Sequence, residues 1–167
     1  GSLGREEATA RGATIIMQEY GRDRGIPVAG SRVVIQGFGN VGGNLARLLH
    51  DAGAKVVAIA DIDGAIVDDD WLDVPKLFEH SYVKRKPVVE FPAADHLSTA
   101  EFWKIPCDWM IPAALGGVIA KEKNVLELNC KVVLEAANSP TTPIADKVLA
   151  QRGIDVLPDF LANAGGV

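Results

Sequence analysis

Residues 37–42 are Gly-Phe-Gly-Asn-Val-Gly, and an aspartate, Asp61, stands 19 positions beyond the last of these glycines. That spacing carries the parts of a pyrophosphate-binding turn. Gly37 permits a tight turn, Gly39 lets the backbone approach a pyrophosphate, and Gly42 removes a Cβ where a helix packs closely on a strand. The N–H groups at the start of the helix, with its dipole, then favour an anion. A carboxylate about 20 residues on can accept hydrogen bonds from the hydroxyls of an adenine ribose. No lysine follows the glycines, which disfavours the phosphate loop of an NTPase.

The spacing is weak evidence until the elements around it are in place. Arg32–Gln36 is a short apolar strand running into the glycines, and Leu45, Leu48 and Leu49 give the next segment helical periodicity. Asp51-Ala52-Gly53 closes that helix, and residues 55–60 form a second apolar strand. Strand, glycine turn, helix and strand make a βαβ unit, which is the context the turn requires. Both strands are continuous hydrophobic runs, as in a parallel sheet covered on both faces.

Other segments extend the pattern. Residues 3–23 are predicted to be one long helix, with Ser2 as N-cap and Ala8, Gly12, Ile15, Ile16 and Glu19 at helical spacing. Gly25-Ile26-Pro27 ends it. The aspartate-rich stretch 61–70 is expected to be loop, 73–82 helix, and Val88-Val89-Glu90 a strand. A strand at 107–111 ends at Pro112-Ala113-Ala114, followed by helix 119–128, strand 131–135, helix 143–152 and strand 154–157. In the last helix Pro143 suits the first position, with Thr142 as its cap. The fold class is α/β: a Rossmann-like, doubly wound, mostly parallel sheet with helices on both faces and a leading N-terminal helix. Residues 1–167 are expected to form one dinucleotide-binding domain.

Composition narrows the function classes. The net charge of −5 lacks the clustered basic footprint of a nucleic-acid partner. No apolar run approaches the ~20 residues of a membrane span, and no secretory leader is visible. Cys107 and Cys130 are far apart in sequence and are expected to be reduced core cysteines of a cytoplasmic protein. His50, His80 and His96 share no ligand spacing and are expected at the surface or at helix ends, so no metal is assigned. Around Asp61 the charges are acidic: Asp63, Asp68, Asp69 and Asp70 follow, with no Lys or Arg before Lys76. A 2′-phosphate would meet repulsion there, which favours NAD over NADP unless the fold brings in a cation from elsewhere.

The chain resembles the nucleotide-binding domain of the glutamate dehydrogenases, within the Glu/Leu/Phe/Val dehydrogenase superfamily. The motifs that carry the resemblance follow the family's order. They are Gly1-Ser2-Leu3-Gly4-Arg5 with Ala8-Thr9-Ala10-Arg11-Gly12, Gln36 to Gly42, Ile111-Pro112-Ala113-Ala114, Glu135 to Pro143, and Leu161 to Val167. The resemblance implies that Thr9 reaches the nicotinamide end of the cofactor and that Asn40 binds the dinucleotide from within the turn. Asp61 would hold the adenine ribose and Ala114 would touch the nucleotide through its backbone. Asn138 and Asn163 would meet the nicotinamide, where an amide can serve the carboxamide's donors and acceptors. Arg5 would face the substrate cleft and help to hold a carboxylate. Each has a plain alternative: Thr9 and Arg5 as ordinary helix residues, Asn40 and Asn163 as turn formers, Asn138 as a cap.

Two departures stand out, Ala136 where the family commonly has glycine and Leu115-Gly116-Gly117 where it carries acidic or polar residues. The resemblance further implies that the acid–base groups come from a preceding domain, so this region alone is expected to bind dinucleotide and turn over nothing. The full enzyme would interconvert L-glutamate with 2-oxoglutarate and ammonia, as a homo-hexamer; the 167 residues alone are expected to be a monomer or weak dimer. The same domain of a leucine, phenylalanine or valine dehydrogenase remains an alternative, as do a non-catalytic NAD(H)-binding regulatory module and a methyltransferase. The Pro-Thr-Thr-Pro stretch at 140–143, which the branched-chain and phenylalanine enzymes lack, favours glutamate. Titration with both dinucleotides is expected to give tighter binding of NAD; equal or tighter binding of NADP overturns the preference.

Overall fold

The computed structural model describes residues 2–114, 118–120, 124–137 and 140–158, with only the backbone for Ser2, Leu3, Arg5 and Glu6. Seven strands form one sheet: β1 (Arg32–Gln36), β2 (Lys55–Asp61), β3 (Gly64–Val67), β4 (Asp95–Leu97), β5 (Trp109–Pro112), β6 (Val132–Leu134) and β7 (Asp155–Leu157). Their spatial order is β4-β3-β2-β1-β5-β6-β7. The five strands from β2 to β7 by way of β1 run parallel, and β3 and β4 extend one edge antiparallel. The α/β expectation is met.

Helices cover both faces. On one face lie α1 (Ser2–Arg24) and α2 (Asn40–Asp51), whose Met17, Leu45 and Leu49 are buried against Val33, Ile35 and Ile59. Each such side chain contributes about 1.5–3 kcal/mol on leaving water. A short helix, α3 (Val74–Leu77), continues as a π-helical turn through Val83 and closes this layer. On the other face α4 (Thr99–Trp103) and α5 (Pro143–Gln151) bury Phe102, Trp103 and Leu149 against Val34, Met110 and Val133. Pro143 opens α5, and Thr142 caps it by accepting from the Ala145 N–H at 3.2 Å, as the sequence suggested.

Several expectations are corrected. The stretch 61–70 contains a hairpin, not only loop: β2 turns into β3 with Asp61 opposite Gly64. Asp63-Gly64 followed by Ala65-Ile66-Val67 is a hairpin signal that the surrounding aspartates obscured. Val88–Glu90 is one turn of 3-10 helix, and the edge strand lies at β4 instead. Within 119–128 the described residues form a bridge from Ile119 to Thr141 and a turn at 124–127, not a helix. Ser2 is already helical instead of capping. The buried stripe of α1 is Ala10, Ala13 and Met17, while Ile15 is 54% exposed. Ala10 and Ala13 are small where α1 packs along α2. His80 keeps its expected helix-end place, in the last turn of the π-helical segment, where it is half-buried against Phe91 with its Nε2 3.0 Å from the Pro87 carbonyl.

The end of α1 shows how tightly the frame is set. Gly25 takes a φ of +71° and the Ile26 N–H returns to the Gly21 carbonyl at 2.8 Å, the closing bond of a Schellman motif. A Cβ at Gly21 would collide with the Ile26 carbonyl. Gly21→Ala would gain about 1 kcal/mol in helix propensity. It would lose about 1–3 kcal/mol to overpacking and about 1 kcal/mol with the strained hydrogen bond. The steric loss wins, so urea denaturation is expected to show a net destabilisation of about 2 kcal/mol. An unchanged or raised midpoint contradicts the packing.

Candidate functional site

The sheet's connections diverge at β1: α2 leads to β2 on one side, and the chain later returns to β5 on the other. The crevice beyond the carboxyl ends of such strands is where ligands bind in open α/β sheets. The glycine turn stands there. The Gly37 N–H donates to the Ala60 carbonyl at 2.7 Å and the Ala113 N–H to the Gln36 carbonyl at 2.7 Å, which ties β2, β1 and the exit of β5 together. Gly37 has a φ of +106°, and a Cβ on it would stand 2.7 Å from the Ala114 Cβ. Exposed Ala114 therefore lies directly against the turn. A Cβ on Gly42 would collide with the Gly37 carbonyl oxygen, so the close packing expected of the third glycine is present.

Gly39 is exposed, caps α2 with no side-chain hydrogen bond, and has open space where a Cβ would be. No acidic residue stands in the first turn of α2. The twelve-residue helix thus presents its first N–H groups and positive dipole end to an external anion. Asn40 begins the helix half-buried, and its Oδ1 is shut from solvent with no donor among the described residues. The open N–H groups fit a pyrophosphate, and the Asn40 oxygen fits a donor such as a ribose hydroxyl. Phe38 and Val41 instead pack into the first core cluster, so only their backbone is available to a ligand.

Asp61 sits at the tip of β2 as expected, but its carboxylate is already engaged. Oδ1 accepts from the N–H groups of Asp63 at 2.8 Å and Gly64 at 3.2 Å, and Oδ2 accepts from Val88 at 2.8 Å. Three of about four acceptor sites are taken, which leaves room for one further donor. Beside it opens a cleft of about 490 Å³ lined by Gln36, Ala60, Thr99, Trp103, Val118 and Asn124. Sequence reasoning missed Gln36 and the α4 wall. The strand-end position of Gln36 and the Ser98 cap, which accepts from the Glu101 N–H at 3.1 Å, were the available signals.

One side of the cleft is held by Asn124. Its Nδ2 donates to the Val118 carbonyl at 2.7 Å and its Oδ1 accepts from the Ala120 N–H at 3.2 Å. Ile119 in turn donates to the Pro140 carbonyl at 2.9 Å and accepts from the Thr142 N–H at 3.0 Å. The proline-marked loop is thereby fastened to the wall of the cleft. Asn138 and Asn163 lie outside the described residues, and so does the Arg5 side chain. Thr9 is half-buried on α1.

Other titratable groups serve the frame. Hydrogen bonding to Arg11, with the charges of Arg11 and Arg47, holds Glu7 below the usual carboxylate range and joins α1 to α2. Cys107 and Cys130 are free thiols on the second core cluster, close together in the segments that lead into β5 and β6 despite their separation in sequence. Burial raises both, Cys130 to about 12, so each stays protonated and is a poor nucleophile near neutral pH.

Asp61→Asn would turn an N–H₂ group toward at least one of the three backbone donors. An unsatisfied buried donor costs about 1–3 kcal/mol. The variant is expected to be less stable by about 1–2 kcal/mol, with faster hydrogen exchange at Val88 or at Asp63 and Gly64. Exchange unchanged at all three amides would dismiss this account of the carboxylate.

Comparison with known proteins agrees with this geometry. The family model described as Glutamate/Leucine/Phenylalanine/Valine dehydrogenase matches residues 1–167. The cryptic catabolic NAD-specific glutamate dehydrogenase GudB of Bacillus subtilis (strain 168) is 44% identical over 167 residues, spanning 100% of this chain and 38% of the relative. The catabolic NAD-specific glutamate dehydrogenase RocG of the same organism is 43% identical over 169 residues, with 100% and 39% coverage. The hetero-hexameric glutamate dehydrogenase of Thermus thermophilus in its Leu-bound form superposes with a TM-score of 0.87 at 28% identity, over 96% of this chain and 37% of that one. The chain therefore spans under two-fifths of the length of these relatives, and it belongs to the Glutamate/Leucine/Phenylalanine/Valine dehydrogenase family.

Proposed function

We propose that this chain is the NAD-binding region of a glutamate dehydrogenase, the region that lies C-terminal to the substrate domain in the whole enzyme. The observation that carries the dinucleotide reading is the uncapped N-terminus of α2 behind a turn in which Gly37 and Gly42 leave no room for side chains and Gly39 faces open space. Glutamate as substrate and NAD as cofactor rest on the names of the two Bacillus subtilis relatives, both NAD-specific glutamate dehydrogenases. The family's description also covers leucine, phenylalanine and valine. A hexameric assembly is supported by the Thermus thermophilus enzyme.

In this reading the whole enzyme catalyses reversible oxidative deamination of L-glutamate to 2-oxoglutarate and ammonia. NAD supplies the hydride acceptor at its nicotinamide C4. The residues of this chain bind and orient it. Gly37 to Gly42 and the α2 N–H groups hold the pyrophosphate, and the uncommitted Oδ1 of Asn40 accepts from a hydroxyl of the dinucleotide. Asp61 offers its remaining acceptor site to the adenine ribose, and Ala114 bounds the nucleotide across the turn. Thr9, Asn138 and Asn163 serve the nicotinamide end, and Arg5 the substrate carboxylate. The pins from Asn124 through Ile119 to Thr142 hold the loop that carries Asn138. Fixing the reactive ring in this way lowers the entropic part of the barrier. The acid–base groups belong to the other domain.

Fluorescence titration with NADH tests the reading. The 167-residue chain is expected to bind NADH, and Asn138→Ala to weaken binding about tenfold, the loss of one well-placed amide contact. Absence of NADH binding by the unaltered chain refutes the proposal; unchanged affinity in Asn138→Ala returns that loop to a structural role.

A further inference from the structure

We propose that the side-chain amide of Gln36 reads the base of the dinucleotide, selecting adenine over hypoxanthine; this rests on the dinucleotide reading above. Gln36 is the last residue of β1, in register with Ala60 of β2 and Pro112 of β5. Side chains alternate along a strand, so Gln36 shares the face of Val34, which packs into the second core cluster with Ala58 and Met110. Its amide therefore rises into the cleft beside Ala60 and Asp61 and beneath Val118.

Among the described residues, the side chains of Asp61, Asn124 and Thr99 in the cleft are committed or peripheral. Asp61 accepts from three backbone N–H groups. Asn124 spends both ends of its amide on Val118 and Ala120. Thr99 lies at the exposed rim. Gln36 makes no side-chain hydrogen bond among the described residues, and its Oε1 is shut away from solvent without a donor. A buried acceptor left in that state is costly, and a ligand that supplies the donor removes the cost.

A primary amide presents a donor edge and an acceptor edge side by side. That pair matches the N6 amine and N7 of adenine, the geometry by which glutamine reads adenine in nucleic acids. Turning the amide about its terminal torsion is easy, so the enclosed oxygen can face the base. Hypoxanthine has a carbonyl oxygen where adenine has its amine. One orientation of the amide then faces oxygen with oxygen, and the other leaves N7 without a donor. Ala60, Ala100 and Val118 offer apolar walls for the faces of a base, and about 490 Å³ falls within the usual range of small-molecule sites.

Calorimetric titration of this chain with NAD and with nicotinamide hypoxanthine dinucleotide tests the inference in the unaltered protein. NAD is expected to bind more tightly by roughly 10- to 100-fold. In Gln36→Leu the affinity for NAD should fall and the ratio between the two dinucleotides approach one. Gln36→Glu keeps an acceptor for the amine but loses the donor to N7, and its ratio should fall between the two. A purely structural role would lower both affinities together and leave the ratio unchanged. Equal binding by the unaltered chain, or a preference retained in Gln36→Leu, overturns the role of Gln36 while the dinucleotide reading stands. Failure of the unaltered chain to bind either dinucleotide removes the reading and the inference together.

Discussion

The Gly37 carbonyl oxygen fills the space where any side chain on Gly42 would begin, and the rest of the site depends on that contact. It sets how closely α2 can follow β1, and so where the helix's unpaired N–H groups stand relative to the strand ends. Ala114 presses on the same turn from the β5 side. Three segments distant in sequence thus converge on two residues without Cβ atoms. Position 42 is glycine because the Gly37 backbone occupies the volume, and position 37 because the Ala114 Cβ stands there and φ is positive.

Around that contact the structure spends its polar groups on holding loops. Asp61 fastens the β2–β3 hairpin to Val88, and Asn124 fastens 118–120, which in turn holds 140–142. Loops carry function in α/β folds, but a loop with few backbone partners opens readily. Side-chain amides and carboxylates supply partners that no strand provides. Among the described residues, the groups left uncommitted at the crevice include the α2 N–H groups, the Asn40 oxygen and the Gln36 amide. Binding capacity in this crevice is concentrated where structural hydrogen bonding leaves off.

The five parallel strands were legible in the sequence because each is an apolar run bounded by turn residues. The cap of α5 was legible because Thr142-Pro143 is a local signal. Elements at the antiparallel edge were less so. The 3-10 turn at Val88–Glu90 looks strand-like in composition, yet its Val88 N–H is claimed by Asp61, 27 residues earlier. The exposed position of Ile15 and the buried stripe of small residues on α1 follow from how close α2 lies, which periodicity alone does not state.

By itself the sequence determined the α/β class, the glycine turn with its strand and helix, and the carboxylate at the end of β2. These are local: glycine spacing, apolar runs and caps act within a few residues of one another. Only the tertiary structure decided which polar groups remain uncommitted. It showed Asp61 holding three backbone N–H groups and, among the described residues, Gln36 holding none, though both stand at strand ends in one cleft. It also placed Cys107 near Cys130, ahead of two neighbouring strands. The physical reason is that a hydrogen bond depends on what the fold brings within about 3 Å, and partners 20 or more residues apart leave no mark on the local pattern.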